Sequence, residues 1–170
     1  MAPDIFNNVE VAETLTTDPK NILNRKMKIE LTKIMPNSDK RYVDVFLKIK
    51  NVEGEKAQTE LIGHDCSRDY IFRLSRRRTN RLDIVEDVKT KDNVSLRTKI
   101  VAITLRKTET SVKKELGAKI REVIHKEAEN KNFETIMNDI FLNILQKKIL
   151  KAVKTTYPLR VLEIRKTEVL

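Results

Sequence analysis

Apolar residues alternate with polar ones along the first part of this chain. In residues 25–34 Met27, Ile29 and Leu31 point one way, and Lys26, Lys28, Glu30 and Thr32 the other. That period of two predicts a half-buried strand. Pro36-Asn37-Ser38-Asp39 breaks it, and residues 41–50 alternate again through Val43, Val45, Leu47 and Ile49. Asn51 to Gly54 reads as a turn, Ala57, Thr59 and Leu61 continue a third strand, and Gly63 ends it. Upstream, Asp18-Pro19 reads as a cap with proline in the first helical position. Ser67 is placed to cap a helix running to about Arg78, with Tyr70, Ile71 and Leu74 inward. Residues 82–89 and 93–105 then form a hairpin across Thr90-Lys91-Asp92-Asn93. Its second strand changes phase at Ile100-Val101, where a bulge is expected.

The period becomes helical from Ser111. Val112, Leu116, Ile120, Val123, Ile124 and Ala128 form one stripe, and Asn130-Lys131-Asn132 interrupts it. A broader stripe runs from Phe133 through Ile136, Met137, Ile140, Phe141, Ile144 and Leu145 to Ile149, with Glu134 near its start and Lys147, Lys148, Lys151 and Lys154 near its end. That charge order suits a helix dipole. Tyr157-Pro158 stops this helix, and residues 159–165 form a last strand returning to the sheet. The expectation is one α+β domain over residues 1–170. Its strand-rich part covers about 25–107 and its helical part about 111–154. Its antiparallel sheet closes toward a barrel and carries two long C-terminal helices.

The chain has 170 residues, 35 Lys+Arg against 25 Asp+Glu, and a formal net charge of +10. A domain of about this size buries roughly 70% of its unfolded surface, enough for a core without covalent staples. The single cysteine, Cys66, cannot form an internal disulfide or a thiolate metal site alone. No apolar run approaches the ~18 residues of a membrane span, and no signal-peptide pattern opens the sequence. A reducing, cytosolic setting fits. The three glycines, Gly54, Gly63 and Gly117, lie far apart, which removes phosphate-binding glycine loops.

Candidate enzymatic groups are few. His64-Asp65-Cys66 puts an imidazole, a carboxylate and a thiol in consecutive positions, but catalytic pairs are assembled in space. Loop packing is the plainer reading. His64, Cys66 and His125 lack zinc-ligand spacing, and His125 reads as a solvated or RNA-facing side chain. Asp83, Glu86 and Asp87 are the candidate carboxylates of a metal nuclease, weighed against their moderating the charge of basic neighbours. The apolar stripe of 133–149 is either core or a protein-docking surface.

The basic residues carry more. Between Arg68 and Lys107 stand twelve basic residues against five acids, which is +7 of the chain's +10. Arginine outnumbers lysine eight to four there. Guanidinium forks pair two donors with a phosphate and stack on bases. Arg76-Arg77-Arg78 within one helical turn would spread over a wide arc. Aromatic residues are sparse, which favours backbone and shape recognition of folded RNA over reading of single strands.

Several segments then resemble a known family. They are Gly63-His64 with Arg68-Asp69-Tyr70, Arg76-Arg77-Arg78-Thr79 with Asp83, Asp87 to Asp92, Val101 to Arg106, and Tyr157-Pro158-Leu159-Arg160 running into Glu163 to Val169, with Glu13-Thr14-Leu15 and Asp18-Pro19 in the lead-in. In collinear order they resemble the eukaryotic-type small-subunit ribosomal protein S-one (S-three-Ae) family, and the ending EIRKTEVL resembles its archaeal branch. The resemblance implies a β-barrel-like core with flanking helices. It also implies a structural role on the small-subunit platform, near the messenger exit and the 3′ region of the small-subunit RNA, in the cytoplasmic ribosome. Neighbouring platform proteins such as the S-eleven homologue would be partners, and no catalytic residue or cofactor accompanies the family. One departure is the absence here of the basic, Trp-containing stretch that precedes the segment matching Ala2-Pro3 in family members. The RNA-binding residues expected are Arg68, Arg73, Arg76, Arg77 and Arg78, extended by Lys89, Lys91, Arg97, Arg106 and Lys107, with Arg165 and Lys166 at the C-terminal end. The alternatives are a non-ribosomal RNA-binding protein and a metal-dependent nuclease.

Overall fold

A computed structural model describes residues 1–3, 6, 9–14, 19–36, 38–54 and 56–170. The expected cap at Asp18 lies outside them. The chain divides into two compact units, Met1–Ser67 and Arg68–Leu170.

In the first unit, strand β1 (Lys26–Glu30) pairs antiparallel with β2 (Val43–Glu53), which pairs with β3 (Lys56–Cys66). The alternation of β2 is the one read from sequence, with Val43, Val45, Leu47 and Ile49 buried. β1 is shorter than expected, because residues 31–34 form a helical turn, α1 (Leu31–Ile34). Leu31 and Ile34 are both buried, and a strand would send residues three apart to opposite faces. Gly63 does not end β3. It sits inside the strand opposite Phe46, beside a register shift, where a glycine accommodates the irregular backbone. The β2–β3 reversal turns at Gly54, whose φ of +61° favours glycine.

The second unit holds helix α2 (Arg68–Leu74), strands β4 (Arg81–Lys89) and β5 (Ser95–Thr104), and helices α3 (Thr110–Asn130), α4 (Phe133–Phe141) and α5 (Ile144–Val153). Strand β6 (Leu159–Val169) closes the order. β4 pairs with β5 and β5 with β6, all antiparallel, so the final run does return to a sheet. One sheet face is covered by the helical stripes. Val88, Leu96, Ile100 and Ile164 meet Ile124, Ala128, Ile136, Ile140 and Leu145 around a cavity of about 10 Å³. The 133–149 stripe is therefore core, with Ile136, Met137, Ile140, Phe141, Leu145 and Ile149 all buried.

Three expectations change here. α2 stops at Leu74, four residues early, because no apolar residue between Leu74 and Leu82 gives a further turn anything to bury. The helix expected over 133–154 is two helices, of 9 and 10 residues, broken at Asn143. Asn143 takes φ of +60°, a left-handed conformation that asparagine tolerates better than most residues. The strands do not close into a barrel: their order is β1-β2-β3-β6-β5-β4, with β1 and β4 left as unpaired edges.

Candidate nucleic-acid interface

Past α2, the chain turns through Arg76-Arg77-Arg78, so the triplet occupies a turn and not a helix face. Arg78 has a left-handed φ of +68°, and the Thr79 hydroxyl donates to the Arg76 carbonyl at 2.8 Å. Asn80 then ties this turn to the segment after β5. Its backbone N–H donates to Thr104 Oγ1 at 2.9 Å, and its carbonyl accepts the Thr104 N–H at 3.0 Å. Its side-chain Nδ2 donates to the Thr108 carbonyl at 3.0 Å and to Thr108 Oγ1 at 3.1 Å. Thr104 Oγ1 donates to the Arg106 carbonyl at 2.7 Å. Arg106 and Lys107 are thereby held beside the arginine turn at one end of the sheet. Arg76, Arg77, Arg78, Arg106 and Lys107 are all exposed, and none is in an ion pair with a described residue. Arg68 and Arg73 are exposed on α2, just upstream in the chain. The Arg73 Nε lies back along that helix, donating to the Asp69 carbonyl at 3.2 Å.

Lys89 and Lys91 are exposed at the opposite end of the hairpin. Eight residue steps along β4 separate Lys89 from Arg81, roughly 26 Å at ~3.3 Å per step. The turn there is tied by backbone hydrogen bonds. Asn93 has φ of +59°, the Thr90 N–H donates to Val94 O at 3.0 Å, and the Lys91 N–H donates to Lys131 O at 3.1 Å. Asp92 Oδ2 accepts the Phe133 N–H at the start of α4, at 3.1 Å.

Arg97 and Lys166 lie between these ends and are engaged within the fold. Arg97 Nε and Nη2 donate to Asp87 Oδ1 and Oδ2, each at 2.7 Å, across directly paired positions of β4 and β5. The guanidinium holds the Asp87 carboxyl below its ordinary range, and the carboxylate raises Arg97 in turn. Glu168 stands opposite Arg97 on β6 and binds both Lys166 and Lys99, the latter at 3.3 Å. The Lys166 hydrogen bond outweighs burial and lowers the Glu168 carboxyl. Arg81 is likewise paired with Asp83 at 2.7 Å. The bulge expected at Ile100-Val101 lies one step earlier on the β5–β6 ladder, and its extra residue is Arg165. The phase change has another cause: Ile100 to Thr104 are all buried, on both faces.

The enzymatic candidates do not converge. Along β4, Asp83 and Asp87 share the exposed face, while Glu86 points oppositely toward α3. There it accepts from Arg121 Nε at 3.2 Å and meets His125 Nε2 at 3.3 Å. His125 is thus held to a carboxylate rather than free toward solvent. His64 and Cys66 lie buried on one side of β3, with Asp65 on the other. Among the described residues no group of His, Cys, Asp and Glu could hold a metal.

Two features of this surface escape the sequence reading. Asn80 reads as ordinary loop polarity until its partners, 24 and 28 residues away, are seen. Arg160 is the extra residue of a second β6 bulge, between Leu159 opposite Thr104 and Val161 opposite Ile103. It therefore stands at the same sheet end as the arginine turn, and its only signal was its place after Tyr157-Pro158.

The Ribosomal S3Ae family model matches residues 1–170. The small ribosomal subunit protein eS1 of Methanopyrus kandleri is 37% identical over 100% of this chain and 82% of its own length. That of Methanoculleus marisnigri is 34% identical over 98% of this chain and 84% of its own. That of Sulfurisphaera tokodaii is 34% identical, covering 100% and 88%. A ribosomal-protein family takes the chain out of the enzyme classes, and with it the nuclease reading of Asp83, Glu86 and Asp87. The chain belongs to the Ribosomal S3Ae family, and its similar relatives are archaeal small-subunit ribosomal proteins.

Proposed function

We propose that the chain is a structural constituent of the small-subunit platform that binds small-subunit ribosomal RNA, working as one domain over residues 1–170 beside neighbouring platform proteins. Family membership carries the ribosomal part of this reading, and with it the cytoplasmic ribosome as the place of action. The observation that supports RNA contact is the Asn80 clamp, which gathers Arg76, Arg77, Arg78, Arg106 and Lys107 with no carboxylate among the described residues in an ion pair with them. Arginine forks at such a site match phosphate oxygens two donors at a time. Arg68, Arg73, Lys89, Lys91 and Arg165 extend the surface. Arg97 and Lys166 contribute less, because Asp87 and Glu168 already offset their charge.

RNA affinity measured against salt tests the reading. Neutralised phosphates release counterions, so log affinity falls with log salt by roughly 0.9 per contact. The variant Arg76→Glu/Arg77→Glu/Arg78→Glu should show a flatter slope than wild type and should fail to co-sediment with purified small subunits through a moderate salt wash. Equal slopes in the two proteins would sink the assignment.

A further inference from the structure

We infer that Phe72 is a stacking platform for one unpaired nucleotide of the bound RNA, an inference that rests on the RNA-binding reading above. α2 turns Ile71 inward, half-buries Tyr70 and Leu74, and leaves Phe72 69% exposed, more than any other large apolar residue described. At that exposure the ring buries little surface against the described residues. Its neighbours along the chain are cations. Arg68 lies one helical turn earlier on the same face, Arg73 follows directly, and Arg76 comes just past the helix end. All three are exposed, and Asp69 is the only carboxylate on the helix.

A protein partner offering an apolar patch would have to cover these arginines or supply carboxylates for them. A nucleotide supplies both complements at once, a base for the ring and a phosphate for a guanidinium. Every base has a stacking face, so the ring need not select sequence. The chain has five Phe, three Tyr and no Trp, and Phe72 has no second exposed ring on α2. One ring serves one base, which points to a bulged or flipped-out nucleotide within structured RNA and not to a single-stranded run.

The test uses two hairpin RNAs, one fully paired and one identical but for a single bulged adenine, bound by the full chain. Wild type should prefer the bulged hairpin by roughly 5- to 100-fold, the range of one base–aromatic stack. Phe72→Leu keeps an apolar side chain and should fold with an unchanged melting temperature. It should erase that preference while the salt slope on both hairpins stays at the wild-type value. Phe72→Trp introduces the sole Trp of the chain, and its emission should be quenched by the bulged hairpin and not by the paired one. If Phe72→Leu binds the bulged hairpin as wild type does, with the same steep slope, the stacking inference is overturned and the RNA reading stands. If wild type binds neither hairpin, both fall. If the Phe72→Trp emission responds to purified small-subunit proteins and not to RNA, a protein occupies the site and the inference is overturned.

Discussion

Replacing Asn80 by alanine separates two properties that surface charge confuses, the number of phosphate contacts and their arrangement. The substitution deletes both Nδ2 hydrogen bonds to Thr108, at 3.0 and 3.1 Å, and leaves the backbone pair with Thr104 in place. Each neutral hydrogen bond contributes about 1 kcal/mol net. The site is half-buried, so water recovers part of the loss, and the expected destabilisation is about 1–2 kcal/mol. For a chain of this length that lowers the melting temperature by roughly 2–8 °C. No cation is removed, so the slope of log RNA affinity against log salt should stay at its wild-type value. The intercept should fall, because Arg106 and Lys107 must then be ordered on binding at about 0.5–1.5 kcal/mol each. That corresponds to a loss of roughly 5- to 100-fold at constant salt. Thermal melts and a salt series on one RNA measure both quantities. An unchanged melting temperature, or a slope that flattens as it does for the arginine triplet, refutes the clamp as the device that arranges this surface.

Arg97→Gln should leave the salt slope close to wild type, with a change well below the ~0.9 of a lost phosphate contact, because Asp87 already occupies both arms of that guanidinium. A loss as large as that from one of Arg76, Arg77 or Arg78 would show that the pair opens on RNA. Glu127 gives a pH prediction. Burial alone would raise its carboxyl, but hydrogen bonds from Lys131 and Lys148 hold it below the ordinary value. A depressed folded-state pKa stabilises above the unfolded value of about 4.3, and that stability is lost as pH falls through the folded one. In urea at pH 7 Glu127→Gln should therefore be less stable by about 1–2 kcal/mol. The gap should close below about pH 4, and a constant gap across that range refutes the assignment.

What the sequence made legible was whatever depends on local period. Val43, Val45, Leu47 and Ile49 could face one side only as a strand, and Leu116, Ile120, Ile124 and Ala128 only as a helix. What it hid was set by neighbours distant in the chain or by one backbone angle. The stripe from Phe133 to Ile149 reads as continuous because Ile140, Ile144 and Leu145 keep helical spacing. The break at Asn143 needs only one left-handed residue, and it leaves Leu142 and Ile144 partly exposed. The end of α2 could be read only as an absence, the lack of apolar residues after Leu74. At the candidate site the density of cations was legible, but their pairing was not. Alternation on β4 and β5 does not say which rows face each other, and the register alone puts Asp87 against Arg97 and Glu168 beside it. The same register sets Arg97 and Lys166, partly neutralised, apart from the unpaired cluster that Asn80 holds at the sheet end.

The position of β5 has a consequence for synthesis. One edge of this strand is satisfied early by β4, through a five-residue connection. The other pairs with β6, where Thr104 meets Leu159 and Leu96 meets Val169. Three helices must be translated between the two, and chains are made at roughly 5–20 residues per second. For some seconds, then, a nascent hairpin carries an open ladder edge, the kind of edge that recruits foreign strands. Lys99 lies along it, and Glu168, which later pairs with it, has not yet been made. Its uncompensated charge in that interval disfavours pairing between two copies of the hairpin, so a residue occupied in the finished fold acts earlier as a guard against aggregation.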